Sequence, residues 1–134
     1  IKVMLSFENK ITVYDSSDAP DTSGTHLLGH LSYGITYDDL VDYLGLPSFG
    51  ESGDGKVMNE WVVEFETEEN GIQLFTIYDW KVESSEWSKK NTGTLEQKDE
   101  WFGSRWHVGG KGYAGDFIEF LEKDIKKYQK ELPF

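Results

Sequence analysis

The chain has 134 residues, a net charge of −12 and no cysteine. That length suits a single domain with a core of its own. The missing cysteine excludes disulfides, thiolate metal sites and a cysteine nucleophile. No apolar run reaches membrane-spanning length and no signal-peptide pattern opens the sequence, so the expectation is a cytoplasmic protein without membrane contact. An aromatic content of 15% argues for a folded chain despite the charge. Residues 1–79 hold 15 Asp and Glu against 3 Lys, whereas residues 80–134 hold ten charges of each sign. The whole net charge therefore belongs to the first three fifths. A field of that sign repels free nucleic acid and attracts basic partner surfaces.

Ile1 to Phe7 alternates Ile1, Val3, Leu5 and Phe7 against Lys2, Met4 and Ser6, as a strand does. Lys10 to Tyr14 reads as a second strand, joined to the first by a turn at Glu8-Asn9. Residues 15–25 are turn-formers throughout and predict a loop. His26 to Tyr33 reads as a short strand, because Gly29 weakens a helix. Thr36 to Gly45 predicts a helix with Thr36 as N-cap, Asp39 at the third position, Gly45 at the C-terminal stop, and Leu40, Val41 and Leu44 as its apolar stripe. Pro47 prevents continuation. Residues 48–55 form a glycine-rich loop.

Residues 56–81 predict the central hairpin, with Asn70-Gly71 supplying the turn. Trp61, Val63 and Phe65 share one face; Glu60, Glu64 and Glu66 share the other. Ile72, Leu74, Thr76, Tyr78 and Trp80 alternate with Gln73, Phe75, Ile77 and Asp79. Residues 82–100 are polar and without clear period, a long excursion. Ser104 to Val108 reads as a strand and Gly109-Gly110-Lys111-Gly112 as a turn. A helix over Ala114 to Glu131 follows, with Phe117, Ile118, Leu121, Ile125 and Tyr128 on one stripe. The fold class is α+β: a mostly antiparallel sheet with one short helix and one long C-terminal helix packed on one face, in a single domain over residues 1–134.

Four groups of residues carry the functional candidates. Glu60, Glu64 and Glu66 form an acidic file on a rigid strand, and Asp38, Asp39 and Asp42 of the short helix extend it in the expected arrangement. Such a row imitates a phosphate backbone and suits a basic groove; a solvated acidic face is the plain alternative. Trp87 and Trp101 stand among lysines in the polar excursion, the composition of a binding hot spot or of loop anchors. Arg105, His107, Gly109, Gly110 and Lys111, with Trp80, form a third set. Glycines after a strand bring backbone N–H groups near an anion, and the cations supply charge-assisted bonds. The spacing is not that of a Walker loop, and a glycine turn that folds the long helix back on the sheet is the alternative. This nucleotide reading requires Tyr78 to Lys81 to lie beside residues 105–112. Lastly, His26 and His30 are four apart and His107 is available elsewhere, a sparse basis for a metal-assisted phosphodiesterase or nuclease; two partly exposed histidines on one face of a strand are the plain alternative. No Ser-His-Asp arrangement or GxSxG motif is present. Neither a catalytic residue nor a metal or other cofactor is assigned.

The order ITYDDLVDYLGLP, GDGKVMNEWVVEF, FTIYDWK and WHVGGK resembles that of small phage-encoded proteins of unassigned function, over most of residues 35–121. The resemblance implies a phage setting and an action against host defence, in the host cytoplasm, as a protein inhibitor or as a binder that sequesters a nucleotide signal. It identifies no target. On charge placement, the expectation is a non-enzymatic inhibitor that docks its acidic surface on the basic surface of a host nuclease or defence complex, without binding nucleic acid itself. Nucleotide sequestration through the 105–112 segment is the alternative. Twenty aromatic residues and open sheet edges also make a homodimer plausible.

Overall fold

The computed structural model describes residues 1–6, 9–94 and 105–131. Six strands, β1 (Lys2–Ser6), β2 (Asn9–Val13), β3 (His26–His30), β4 (Glu60–Thr67), β5 (Gly71–Tyr78) and β6 (His107–Gly110), form one sheet. Its order is β1-β2-β4-β5-β6-β3, and every pair is antiparallel. Three helices accompany it: α1 (Tyr37–Leu44), α2 (Ser85–Asn91) and α3 (Gly115–Glu131). The α+β class is as the sequence indicates; α2 is an addition to it.

The central hairpin pairs Glu60 with Tyr78 through to Thr67 with Gly71. Glu68, Glu69 and Asn70 close it, Asn70 N–H donates to Thr67 Oγ1 at 3.0 Å, and only Gly71 takes a positive φ, of 65°. Ladder pairing starts at Glu60 rather than at Val57. The N–H groups of Met58 and Asn59 instead donate to the Asp79 carboxylate, at 2.6 and 3.2 Å.

Alternation puts Ile11, Val13, Trp61, Val63, Phe65, Phe75, Ile77 and Val108 on one sheet face, where all are buried. The helices α1 and α3 cover that face through Leu40, Tyr43 and Leu44, and through Phe117, Leu121 and Ile125. Phe117 stacks on Phe75, with ring centroids 4.4 Å apart and planes within 6°. Trp61 Nε1–H donates to the Gly45 carbonyl at 2.9 Å and fastens the end of α1 to β4. The Thr36 capping box forms: its N–H donates to Asp39 Oδ2, and its Oγ1 accepts from Asp39 N–H. Gln129 Nε2–H donates to Asp39 Oδ1 at 2.6 Å, and the Tyr43 hydroxyl donates to Asp124, so α1 and α3 are tied by polar contacts as well.

Three local expectations need correction. The excursion after Trp80 contains α2, with Ser84 as N-cap. Gly109 and Gly110 are strand, not turn. A Cβ at Gly109 would stand 2.8 Å from Thr76 Oγ1, and one at Gly110 would stand 3.0 Å from the Leu74 carbonyl and from the Phe75 ring. A side chain at either position would have to displace these neighbours, so close packing favours glycine there. Finally, β3 bulges between Leu27 and Gly29. The extra residue places His26 opposite Gly110 on the helix-covered face and His30 opposite His107 on the other, so the two histidines do not share a face.

Candidate functional site

The sheet face away from α1 and α3 carries the file of β4 carboxylates and a polar row at one end. Register places Glu60, Tyr78, His107 and His30 side by side across β4, β5, β6 and β3. The His107 ring lies 5.4 Å from that of Tyr78 and 4.4 Å from that of His30, the latter edge-on at 70°. Trp80, two residues past Tyr78, extends the cluster, 6.2 Å from the Tyr78 ring and 6.4 Å from the His107 ring. Tyr78 to Lys81 thus lies beside the start of the 105–112 segment, as the nucleotide reading requires.

Cations border this cluster. The Lys56 and Lys81 ammonium groups lie 6.0 and 5.6 Å from the Trp80 ring centroid, within cation–π range. Lys81 N–H donates to the Lys56 carbonyl at 2.7 Å, which holds the two lysines together. Lys81 has a φ of 53°, and it is the one non-glycine among the described residues with positive φ. Left-handed backbone costs a non-glycine residue about 1 kcal/mol. On the other side, the Arg105 guanidinium stands 5.2 Å from the Tyr33 ring.

Burial pushes the His107 imidazole down to a pKa of about 4; neighbouring His30 and Arg105 act in the same direction, against the Arg105 carbonyl and Asp79. Burial also lowers His30, with help from Arg105. Both rings are therefore neutral near pH 7. His107 Nδ1 is 3.3 Å from the Arg105 carbonyl, an acceptor, so Nδ1 carries the hydrogen and Nε2 keeps a lone pair. Burial raises the Glu60 carboxyl, and the charge of Asp79 raises it further. The Tyr78 hydroxyl is raised by burial and then by Glu60. His107, His30 and Tyr78 offer hydrogen-bonding groups and π-faces, with the Glu60 carboxyl beside them and cations at the rim.

Asp79 supports the site from the opposite side of the strand. It is fully buried, and it accepts from Met58 N–H, Asn59 N–H, Asn59 Nδ2 at 3.1 Å and Ser88 Oγ at 2.6 Å. These bonds join the entry to β4, the end of β5 and α2. Tyr78 and Trp80, on either side of Asp79 in sequence, are thereby fixed in direction.

The remaining candidates separate. Lys111 lies at the other end of β6, next to Gly24 and close enough to Asp21 to lower its carboxyl slightly, after the Asp21 bonds to Ser23. Glycines 109 and 110 fill a packing role. Arg105, His107 and Trp80 do come together, and Tyr78, His30, Lys56 and Lys81 join them. Glu60, Glu64 and Glu66 share the sheet face away from α1 and α3, but Glu60 and Glu64 are half-buried, and Val62 between them is fully buried. Burial and Glu64 push the Tyr14 hydroxyl up to about 12. Asp38, Asp39 and Asp42 ride on α1 across the sheet, and Asp39 is engaged in capping. The two acidic sets therefore do not make one row. Trp87 is a half-buried residue of α2, its N–H given to Ser84 Oγ at 3.0 Å; Trp101 lies outside the described residues. Among the described residues, no group of three or more His, Asp or Glu has the geometry of a metal site, and no helix is long and apolar enough to cross a membrane.

The signal for the added residues is alternation itself. Ile77 and Asp79 point inward, which sends Tyr78 and Trp80 outward, and His107 stands between inward Trp106 and Val108. No protein-family model, curated protein or solved structure matches the chain.

Proposed function

We propose that the protein is a non-enzymatic binder of a nucleotide-type anion, held at the Trp80–His107 end of the sheet face away from α1 and α3. The supporting observation is the grouping of Lys56, Lys81 and Arg105 around Trp80, Tyr78, His107 and His30 in a chain of net charge −12. Aromatic faces suit a base, the lone pair of a neutral imidazole accepts from a base N–H, and the ammonium and guanidinium groups suit phosphate. In the phage setting that the sequence resemblance implies, such a binder withdraws a nucleotide signal from host defence. A thermal-shift screen of mono-, di- and cyclic nucleotides tests this. Ligand at about 100 times Kd adds roughly 2.7 kcal/mol, a rise in Tm on the order of 10 °C. The shift should disappear in Lys56→Glu/Lys81→Glu and survive in Lys111→Glu. A full panel that leaves the Tm unmoved removes the proposal.

A second reading has one observation in its favour, the confinement of all net charge to residues 1–79. It makes the protein an inhibitor that docks Glu60, Glu64 and Glu66 on the basic surface of a host nuclease or defence protein. Capture of such a partner at low salt, lost in 1 M NaCl and in Glu64→Lys/Glu66→Lys, is its expected result. Retention in both sinks it.

A further inference from the structure

We propose that β1 is a self-pairing edge, through which two copies of the chain join antiparallel into one continuous twelve-stranded sheet. The sheet has two edges, and they differ. At one, β3 is bulged between Leu27 and Gly29, the irregularity that blunts an edge against further pairing. At the other, β1 pairs with β2 over five consecutive residues without a register shift. It has no proline, and among the described residues no strand pairs with its outer side. Among the described residues, its outward backbone groups have no strand partner.

The side chains of β1 match a second β1. On the sheet face away from α1 and α3, Val3 is 48% exposed and Leu5 76% exposed. Centring a two-fold axis on Met4 sets Val3 against the partner's Leu5, Leu5 against the partner's Val3, and Lys2 against the partner's Ser6. Both exposed apolar side chains gain an apolar cross-strand neighbour, and no like charges are opposed. An isologous contact of this kind closes at two copies.

Charge placement selects the same edge. Residues 1–14 contain Lys2, Lys10 and a single acid, Glu8, whereas residues 15–79 contain 14 acids and only Lys56. The β1–β2 hairpin is the one part of the acidic half that carries a positive balance. Two copies meeting there keep their acidic surfaces apart.

Light scattering coupled to size exclusion, at about 100 µM chain and 150 mM NaCl, tests the pairing. The wild-type chain is expected at twice its 15.4 kDa mass. Val3→Lys/Leu5→Lys places like charges opposite each other at both outer pairs and should run as a monomer. Val3→Glu/Leu5→Lys places opposite charges at the same two pairs and should restore the dimer. Both sites are solvent-facing, and an unchanged near-ultraviolet circular dichroism spectrum verifies that the variants fold. A monomeric wild type, a dimer that persists in the two-lysine variant, or a Val3→Glu/Leu5→Lys variant that stays monomeric overturns the proposal.

Discussion

A buried neutral imidazole makes stability depend on pH, and His107 is placed to do so. Its folded-state pKa of about 4 lies below the ordinary value of 6.5. The fold therefore favours the uncharged ring. The stability this represents is complete above pH 6.5 and is lost as pH falls from 6.5 toward 4, on the order of 3 kcal/mol. The groups around the ring are Tyr78 and Trp80 from β5 and beyond, His30 from β3, Arg105 just before β6, and Asp79. Glu60, next to Tyr78, has the opposite sign. Its raised pKa means that protonation is easier in the folded state, which offsets part of the loss as pH falls. Urea midpoints of wild type and His107→Gln between pH 7.5 and 4 separate the contributions. The variant, polar but without the imidazole titration, should lose less stability over that range. Parallel profiles would show that the ring does not carry the effect.

Among the elements, α2 is the one that hydrophobic periodicity misses, for a physical reason. Its buried residue is Ser88 rather than an apolar one, and it docks through a hydrogen bond to Asp79. The hydroxyl of Thr92 lies 2.9 Å from that of Ser88 and continues the polar chain. Ser84 caps the start of α2 and Thr92 its end, with Gly93 just beyond. Gly93 takes a φ of 82°, and a Cβ there would stand 1.9 Å from the Ile35 carbonyl oxygen. The apolar strands and α3 were readable because their periods report burial directly; paired glycines were misread because they signal close packing in β6 as readily as a turn. Likewise, the pattern located Trp80, Arg105 and His107 but not Lys56, which reaches Trp80 only after the chain has folded. The polar docking of α2 predicts a ranking of two variants. Asp79→Ala leaves two backbone N–H groups, an amide and a hydroxyl without their acceptor, and should cost about 3–5 kcal/mol. Ser88→Ala removes one donor while Asn59 still serves the same carboxylate oxygen, and should cost about 1–2 kcal/mol. Urea unfolding measures both; equal losses would mean that Asp79 matters only as the anchor of α2.

For the whole molecule, the balance between self-repulsion and ion pairing fixes the response to salt. A net charge of −12 disfavours the compact state, and added salt screens that repulsion. Salt also weakens ion pairs, but the pairs Lys123–Glu119 and Lys89–Glu86 join largely exposed side chains and contribute little. Repulsion should dominate, so Tm should rise by a few degrees between 0.05 and 0.5 M NaCl. The hairpin turn offers a local check. Glu68 and Glu69 line one hollow with Asp116, so three acidic residues are neighbours there. Glu68→Lys/Glu69→Lys places cations beside Asp116 and brings the net charge from −12 to −8. It should raise Tm at low salt and shrink the salt response. The turn lies far along β4 from Glu60 and the Trp80 cluster, which leaves the binding surface unaltered. A Tm that falls with NaCl would reverse the assignment and give the exposed ion pairs the larger share.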